Sequence, residues 1–218
     1  MKKLILLAIA GIVVLLLVVF GSGLFDLYRL QQYVTASAEA YQADGGAWPH
    51  VTDVCMGCHG VKGNSLNQGY PSLAAQPAPY VAAQLHNFAS GQRANPAMGP
   101  LAMALSEAEI KLLSDHFSKQ TASENRFFEP DSRLRARGEQ LVAGGSCVAC
   151  HGARLIGHDQ FPRLAGQGYD YILEQLNAFA AGARTESSGT MKSIATAMST
   201  EDREAIANYL ASLNPGKK

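Results

Sequence analysis

The chain has 218 residues, of which 47% are hydrophobic and 17% are charged, a composition that excludes a disordered tail and predicts one or two compact domains. Basic and acidic residues number 18 each. The formal net charge of zero provides no basic field for nucleic acid, which makes nucleic-acid binding a remote possibility.

The first predicted element is a long apolar segment. After Lys2 and Lys3, residues 4–25 carry no charged side chain. As a helix this segment extends about 33 Å, enough to cross a hydrocarbon core of about 30 Å. A cleaved signal peptide is the alternative, although its apolar region is usually only about 7 to 15 residues long. We therefore expect a single-pass anchor over residues 1–30 in the inner (cytoplasmic) membrane, with the rest of the chain in the periplasm.

The remainder of the chain contains an internal repeat. Residues 71–93 and residues 162–184 match without gaps at 11 of 23 positions. The segments 105–117 and 198–210 share one pattern of apolar and polar residues at equivalent places. The exported part is therefore expected to be two copies of one domain.

A polar segment separates the two copies. Residues 122–131 include Ser, Glu and Asn and close on Pro, which is typical of a link between domains. We expect a first domain over residues 31–121 and a second over residues 132–218. Within the link, Phe127 and Phe128 are expected to pack across the domain interface.

Helical periodicity marks both copies. In the first, Pro79 suits an early helical position, and apolar residues follow at helical spacing until Gly91. Ser106 and Glu109 then form a capping box that opens another helix. In the second copy, residues 134–143 predict a helix that two glycines end. Because long strand-like alternation is absent, the expected fold class is all-α.

All four cysteines lie in two C-x-x-C-H motifs at equivalent places in the repeat, formed by Cys55, Cys58 and His59 and by Cys147, Cys150 and His151. This is the attachment pattern of c-type haem, in which two thiols form thioethers and the adjoining histidine can coordinate iron. A zinc site, two disulfides or a thioredoxin-like pair are the alternatives. Zinc would leave both histidines unexplained, and a thioredoxin-like site needs a strand-rich surrounding. We expect two covalently attached haem c groups.

The repeat also indicates a second axial ligand for each iron. Met98 and Met191 each lie eight residues before the serine that opens the last helix of their copy, and no other methionine is repeated in this way. Both are expected in an irregular loop and are predicted to bind iron, with an ordinary core position as the alternative. The remaining histidines have no counterpart in the other copy and are interpreted as surface or packing residues: His50, His86, His116 and His158.

These residues resemble the class I c-type cytochromes, and residues 33–213 resemble the two-haem cytochrome c4 family. The motifs C-x-x-C-H-G, P-x-L-A-x-Q and Y-x-x-x-Q-L-x-x-F-x-x-G-x-R each occur twice. The resemblance implies two tandem all-helical cytochrome c domains related by a pseudo-twofold, each holding a haem with His and Met ligands. It also implies that the carbonyls of Pro71 and Pro162 accept the Nδ1 protons of His59 and His151.

The resemblance assigns places to four more side chains, which would lie near haem edges or propionates: Tyr80, Arg93, Tyr171 and Arg184. The alternative is that the tyrosines simply pack between helices and that the arginines are solvated cations. Two features depart from the family pattern. The apolar N-terminus makes this chain a membrane-anchored version. A wide gap precedes Cys55, where Trp48 is expected to pack near the first haem.

Iron held by histidine and methionine has no vacant position for a substrate, so these ligands indicate electron transfer rather than enzymatic catalysis. We expect a two-haem carrier of single electrons on the periplasmic side of the membrane. Its partners would be respiratory proteins such as a quinol-oxidising cytochrome bc complex and a haem-copper terminal oxidase. The alternatives are the cytochrome subunit of a flavin or other periplasmic dehydrogenase and, less favoured, a two-haem peroxidase.

Charge differs between the two copies. Residues 24–125 carry five basic and eight acidic side chains, whereas residues 126–218 carry eleven and ten. We expect the two domains to dock different redox partners, with an electrostatic steering that weakens as salt rises.

Overall fold

The computed structural model describes residues 2–43 and 50–216, without the side chains of residues 2, 4–10, 12, 13, 15, 42 and 43. Over these residues the fold is all-α, and the only extended pairing is an isolated bridge between His158 and Phe161. The chain divides into two units, Met1–Ala47 and Trp48–Lys218.

The N-terminal unit consists of one helix, α1, Lys2–Ala43. It continues through residue 30, where the sequence predicts the end of the membrane anchor. Many side chains of that predicted anchor lie outside the described residues, as does Trp48. In the described part of the chain, no helix combines the length and the apolar character needed to span a membrane.

The second unit contains two successive sets of helices that follow the sequence repeat. The first set comprises α2 (Asp53–His59), α3 (Ala78–Ala89), α4 (Met98–Met103) and α5 (Glu107–Lys119), with a short 3₁₀ helix at Val61–Gly63. The second set comprises α6 (Ser132–Gly144), α7 (Cys147–His151), α8 (Tyr169–Ala180), α9 (Thr190–Ala197) and α10 (Thr200–Ala211). In the first set α3 packs against α4 and α5. In the second, α8 packs against α9 and α10, and α6 packs across α10.

The predicted boundaries of α3, α5 and α6 are confirmed to within two residues. Pro79 lies in the first turn of α3, which ends before the left-handed Gly91. The predicted capping box is present, since the Ser106 Oγ accepts from the Glu109 amide and the Glu109 Oε2 accepts from the Ser106 amide at 2.8 Å. Helix α6 begins earlier than predicted because the Asp131 carboxylate accepts from the amide of residue 134 at 2.9 Å.

Each set of helices encloses a separate apolar core. The first core contains Val81, Leu85, Ala102, Ile110, Leu113 and Phe117. The second contains Val142, Leu155, Ala165, Ile172, Leu176, Ile206, Ala207 and Leu210. The chain therefore has two tandem helical domains, each with the apolar centre that a small domain needs.

The segment between the domains places its two aromatic residues differently. Phe128 stacks on Tyr169 of the second domain, with ring centroids 5.2 Å apart and an interplanar angle of 11°. Phe127 lies in a turn at residues 126–127 and is 64% exposed. Phe128 therefore packs on the second domain, and its packing across the domain interface stays a prediction. The prediction is wrong for Phe127, because the turn leaves that side chain in solvent.

Candidate functional site

Each C-x-x-C-H motif forms a short helix of its own. In α2 and α7 the two cysteines are three residues apart and therefore lie on one face of the helix. All four cysteines are free thiols, so the structure contains none of the disulfides considered as an alternative. No group of three or more metal-ligating side chains occurs within the described residues, all four cysteines included, and a thiolate zinc site is therefore not formed.

The two motif histidines are buried and oriented in the same way. His59 Nδ1 donates to the carbonyl of Pro71 at 2.8 Å, and His151 Nδ1 donates to the carbonyl of Pro162 at 2.9 Å, as predicted. The side chains are 8% and 6% exposed, and burial lowers the pKa of both imidazoles. A neutral ring with its proton on Nδ1 leaves the Nε2 lone pair for a metal ion.

The thiols of the first cysteine in each motif are not activated as nucleophiles. Burial raises the pKa of Cys55 and of Cys147 above the ordinary value. A thioredoxin-like pair requires a thiol whose pKa is lowered. The environment of these cysteines therefore opposes that alternative and agrees with thiols that are consumed in covalent attachment.

The two repeated methionines lie at helix starts, so the prediction of an irregular loop is wrong. Met98 is the first residue of α4, where the Asn95 Oδ1 accepts from its amide at 2.8 Å. Met191 is the second residue of α9, where the Glu186 Oε1 accepts from its amide at 3.0 Å. These two side chains accept from amides in the first turn of each helix, which begins at Met98 in the first domain and at Thr190 in the second.

Each of these methionines shares its surroundings with a motif cysteine. Met98 and Cys55 are half-buried and pack against the first core. Met191 and Cys147 do the same at the second core. Met103, which has no counterpart in the repeat, is 71% exposed. Iron binding by the two repeated methionines stays a prediction.

The four unrepeated histidines make polar or packing contacts with neighbouring side chains. A ring nitrogen of His50, His86 and His158 lies 3.6, 3.5 and 3.1 Å, respectively, from a nearby carboxylate oxygen. His116 is buried and packs edge-on against Phe117 with centroids 5.1 Å apart. Their interpretation as surface or packing residues agrees with these contacts.

Six side chains on and after α3 and α8 form a reciprocal polar cluster, which we call the arginine–tyrosine cluster: Tyr80, Gln84, Arg93, Tyr171, Gln175 and Arg184. Arg93 donates to the hydroxyl of Tyr171 at 2.9 Å and to Gln175 Oε1 at 2.9 Å. Arg184 makes the equivalent bonds to Tyr80 at 3.1 Å and to Gln84 at 3.2 Å. Each arginine also donates to the glutamine of its own domain at 2.8 Å.

The cluster brings two guanidinium groups together without a carboxylate among their hydrogen-bond partners. Each guanidinium also lies 4.6 Å from the ring centre of a phenylalanine, Phe88 or Phe179. Both arginines are half-buried and each donates three hydrogen bonds to protein side chains, which agrees better with a built polar cluster than with solvated cations. Their predicted proximity to haem propionates stays a prediction, and the uncompensated positive charge suits an anionic group.

Two buried glutamines that the sequence analysis did not single out also cross between the domains. Gln76 Oε1 accepts from the amide of Arg163 at 2.9 Å and its Nε2 donates to the carbonyl of Arg163 at 3.0 Å. Gln167 Oε1 accepts from the amide of Ser72 at 2.7 Å and its Nε2 donates to the carbonyl of Ser72 at 2.9 Å. Each glutamine is the last residue of the repeated P-x-L-A-x-Q motif, and this repetition is the feature of the sequence that could have identified them as functional residues.

The residues present fit a covalently attached haem in each domain. Paired free thiols, a buried histidine with its Nε2 available, and a thioether against the same core supply the attachment and ligand types of a c-type haem. The two sets of donors are equivalent, so both domains offer the same chemistry.

Comparison with known proteins gives matches in both domains. The cytochrome c family model matches residues 135–214, and cytochrome C oxidase, cbb3-type, subunit III matches residues 46–116. Cytochrome c4 of Pseudomonas aeruginosa is 34% identical, over 78% of this chain and 89% of the relative. A thiosulfate dehydrogenase electron acceptor of Thiomonas intermedia is 35% identical, over 82% and 88%. The crystal structure of reduced recombinant cytochrome c4 from Pseudomonas stutzeri has a TM-score of 0.71 and 31% identity, over 81% of this chain and 98% of that one.

Proposed function

This chain belongs to the cytochrome c4 family of two-haem c-type cytochromes, and on that premise we propose that it carries single electrons between redox partners in the periplasm. It is an electron-transfer protein with two covalently bound haem c groups, one for each domain. The observation that carries the proposal is the matched pair of hydrogen bonds from His59 to Pro71 and from His151 to Pro162.

The proposed site residues follow the repeat. Cys55 and Cys58 would attach the first haem, and His59 and Met98 would bind its iron. The second haem is held in the same way by Cys147, Cys150, His151 and Met191. When bound, the haem iron supplies one-electron oxidation and reduction. The proline carbonyls hold the histidines in one orientation, and the methionine thioethers would supply the second ligand of each iron.

The proposed domain limits are residues 31–121 and 132–218, joined by residues 122–131. One family match lies mainly within each of these ranges. The reciprocal contacts of the arginine–tyrosine cluster support a pseudo-twofold relation between the two domains. In this arrangement electrons pass between the two haems inside one chain, and each domain presents its own surface to a partner.

A membrane tether is proposed from the sequence alone. Residues 4–25 carry no charge and are long enough as a helix to cross the inner membrane. The test is to separate membranes from periplasm for the full chain and for a variant in which a cleavable signal peptide replaces residues 1–25. Retention of the full chain on membranes after a high-salt wash, with release of the variant, supports an anchor; release of both contradicts it.

The proposed partners differ between the two domains. The first carries an excess of acidic side chains and the second a slight excess of basic ones, so opposite fields would steer different proteins. A quinol-oxidising cytochrome bc complex as donor and a haem-copper oxidase as acceptor have the required chemistry. Rates with either partner should fall as ionic strength rises, and rates independent of salt would contradict steering.

A second candidate is the electron acceptor of a periplasmic dehydrogenase. The Thiomonas intermedia relative carries that description for thiosulfate dehydrogenase, and its identity of 35% is similar to that of cytochrome c4. The two candidates share one chemistry and differ in the donor. Reduction of the purified protein by a thiosulfate-oxidising enzyme, but not by a bc complex, would favour the second.

The experiment that tests the proposed function is a redox titration followed by absorption. We expect two one-electron transitions, a low-spin spectrum in both oxidation states, and an absorption band from methionine bound to ferric iron. A resting high-spin haem together with turnover of peroxide would contradict an electron carrier and favour the peroxidase alternative.

A further inference from the structure

The peptide group that accepts the proton of each motif histidine is hydrogen-bonded at its other end as well. The carbonyl between Pro71 and Ser72 accepts from His59 at 2.8 Å, and the amide N–H of the same peptide donates to Gln167 Oε1 at 2.7 Å. The glutamine belongs to the second domain, whereas the histidine belongs to the first.

The second domain repeats this arrangement with the domains exchanged. The carbonyl between Pro162 and Arg163 accepts from His151 at 2.9 Å. The N–H of that peptide donates to Gln76 Oε1, of the first domain, at 2.9 Å. Each histidine is thus connected through one peptide group to a glutamine of the opposite domain.

Both glutamine amides are fixed in orientation. Gln76 and Gln167 are each 3% exposed, and their Nε2 atoms donate to the carbonyls of Arg163 and Ser72 at 3.0 and 2.9 Å. If the amide were reversed, its NH₂ would face a backbone N–H and its oxygen would face a carbonyl oxygen. Both contacts are repulsive, so the reversed orientation is excluded. The acceptor oxygen is therefore held on the peptide N–H.

Donation at the N–H end polarises a peptide group, so its carbonyl becomes a stronger acceptor. A stronger bond from the histidine Nδ1 gives the imidazole more anionic character and makes it a better donor to ferric iron. We propose that Gln167 lowers the reduction potential of the haem attached to Cys55 and Cys58, and that Gln76 lowers the potential of the haem in the second domain. Each glutamine is a positioning residue for the haem of the other domain, an inference that rests on the proposed function.

The test uses the full chain with both haems and the variants Gln167→Met and Gln76→Met. Methionine keeps the length of the side chain but neither accepts nor donates these hydrogen bonds. In Gln167→Met the ratio of reduced to oxidised first haem at fixed ambient potential should rise by about 1.5-fold to threefold, because the glutamine strengthens the histidine bond by only about 10–30%. In Gln76→Met the same change should occur at the second haem, while the other haem is unchanged.

The haems are distinguished by repeating the titration in the Met191→His background, where the transition of the second haem is displaced to lower potential. The matched control is Gln68→Met. Gln68 also crosses between the domains, bonding Asn125 at 2.9 Å and the amide of Tyr169 at 3.0 Å, but contacts neither peptide next to a motif histidine. It should leave both potentials unchanged.

Exchange of the histidine Nδ1 proton with solvent gives an independent measurement. It should accelerate for His59 in Gln167→Met and for His151 in Gln76→Met. Should the methionine variants fail to fold, Gln167→Asn and Gln76→Asn keep the amide but shorten it by one methylene, and the same crossed pattern is expected. A shift in the haem of the same domain, equal shifts in both haems, or no shift beyond that of Gln68→Met would overturn the inference. If these variants keep a low-spin spectrum, such a result would overturn the proposed role of the glutamines but not the proposed function as an electron carrier.

Discussion

Gly138 of α6 lies directly against the main chain of Ala205 in α10. A Cβ placed on Gly138 would be 2.1 Å from the carbonyl oxygen of Ala205 and 2.7 Å from the Cβ of Tyr209. The two helices cross at this point only because residue 138 has no side chain. Neither neighbouring atom is the end of a flexible side chain, so the clash cannot be relieved by a change of rotamer.

Gly138→Ala should therefore force α6 away from α10 and destabilise the second domain by about 3 kcal/mol or more. The measurement is denaturant unfolding followed by helical circular dichroism. Gly144→Ala in the same helix is the control, because a Cβ there meets nothing within 4 Å and alanine should be neutral or slightly stabilising. If both substitutions changed the free energy of unfolding equally, the close approach of α10 would not be the reason that residue 138 is glycine.

Loss of a proposed methionine ligand should change the spin state of one haem. In Met98→Ala and in Met191→Ala, the sulfur that fills the second axial position is removed, so about half of the haem should become high-spin in absorption or electron paramagnetic resonance spectra. Met103→Ala is the control, since that side chain is 71% exposed and not repeated. A fully low-spin spectrum in Met98→Ala would exclude Met98 as a ligand.

Replacement of a thioether by an imidazole should keep the iron six-coordinate but change its potential. Met191→His is expected to give a folded, low-spin second domain whose reduction potential falls markedly, because imidazole donates more strongly to iron than thioether does. Potentiometric titration checks this. An unchanged potential at that haem would mean that Met191 does not bind iron.

Arg163 should contribute to stability despite the cost of burying its charge. Its side chain is 2% exposed, and burial lowers its pKa to about 10, which corresponds to a penalty of about 3 kcal/mol. The guanidinium donates to the carbonyls of Ala74 at 3.2 Å, Ser72 at 3.4 Å and Ala165. The Ser72 carbonyl keeps Gln167 Nε2 as a donor at 2.9 Å, so only the carbonyls of Ala74 and Ala165 would lose their partner. A buried carbonyl without a partner costs about 1 to 3 kcal/mol, so Arg163→Met should lose about 1 kcal/mol on balance.

Chemical unfolding of the oxidised protein measures this difference. The control is Arg154→Met, an exposed arginine in the same domain whose loss should change stability by less than about 0.5 kcal/mol. A gain in stability for Arg163→Met would mean that the desolvation of the cation outweighs its three hydrogen bonds.

The ion pair that joins α6 to α10 should make stability depend on pH. Arg137 donates to the Asp202 Oδ1 at 2.9 Å, and this hydrogen bond holds the pKa of Asp202 below its usual range. A carboxyl with a lowered native pKa stabilises the fold above its unfolded pKa of about 3.9, and that contribution is lost as the pH falls through the native value. The stability difference between the natural protein and Asp202→Asn should be constant near neutral pH and disappear in acid. A difference that grows on acidification would contradict this sign.

Much of the fold could be predicted because the signals are local. The capping box of Ser106 and Glu109 involves residues three apart, and the two motif helices are each a short continuous segment. The carbonyl partners of the motif histidines lie 12 and 11 residues away and were available from the family resemblance. Because the sequence repeats, each of these local signals occurs in both domains, and the two copies support each other.

The remaining features depend on how the domains dock. Gln76 and Arg163 are 87 residues apart, and Gln167 and Ser72 are 95 apart, so no periodicity relates them. The same reason explains why Phe127 was assigned wrongly: a polar link does not encode which of two adjacent rings meets the next domain. The Asn95 side chain accepts from the amide of Met98 at the start of α4, but this signal in the sequence is weak because many asparagines accept no such hydrogen bond.

The reciprocal character of the arginine–tyrosine cluster has a consequence for the evolution of the chain. A contact in which each half offers the same donors and acceptors is what two separate copies of one polypeptide form about a twofold axis. The peptide that now joins the halves raises their effective concentration to about the millimolar range, so a contact too weak to hold free copies together suffices here. Proteolytic cleavage within residues 122–131 would return the pair to a concentration-dependent association.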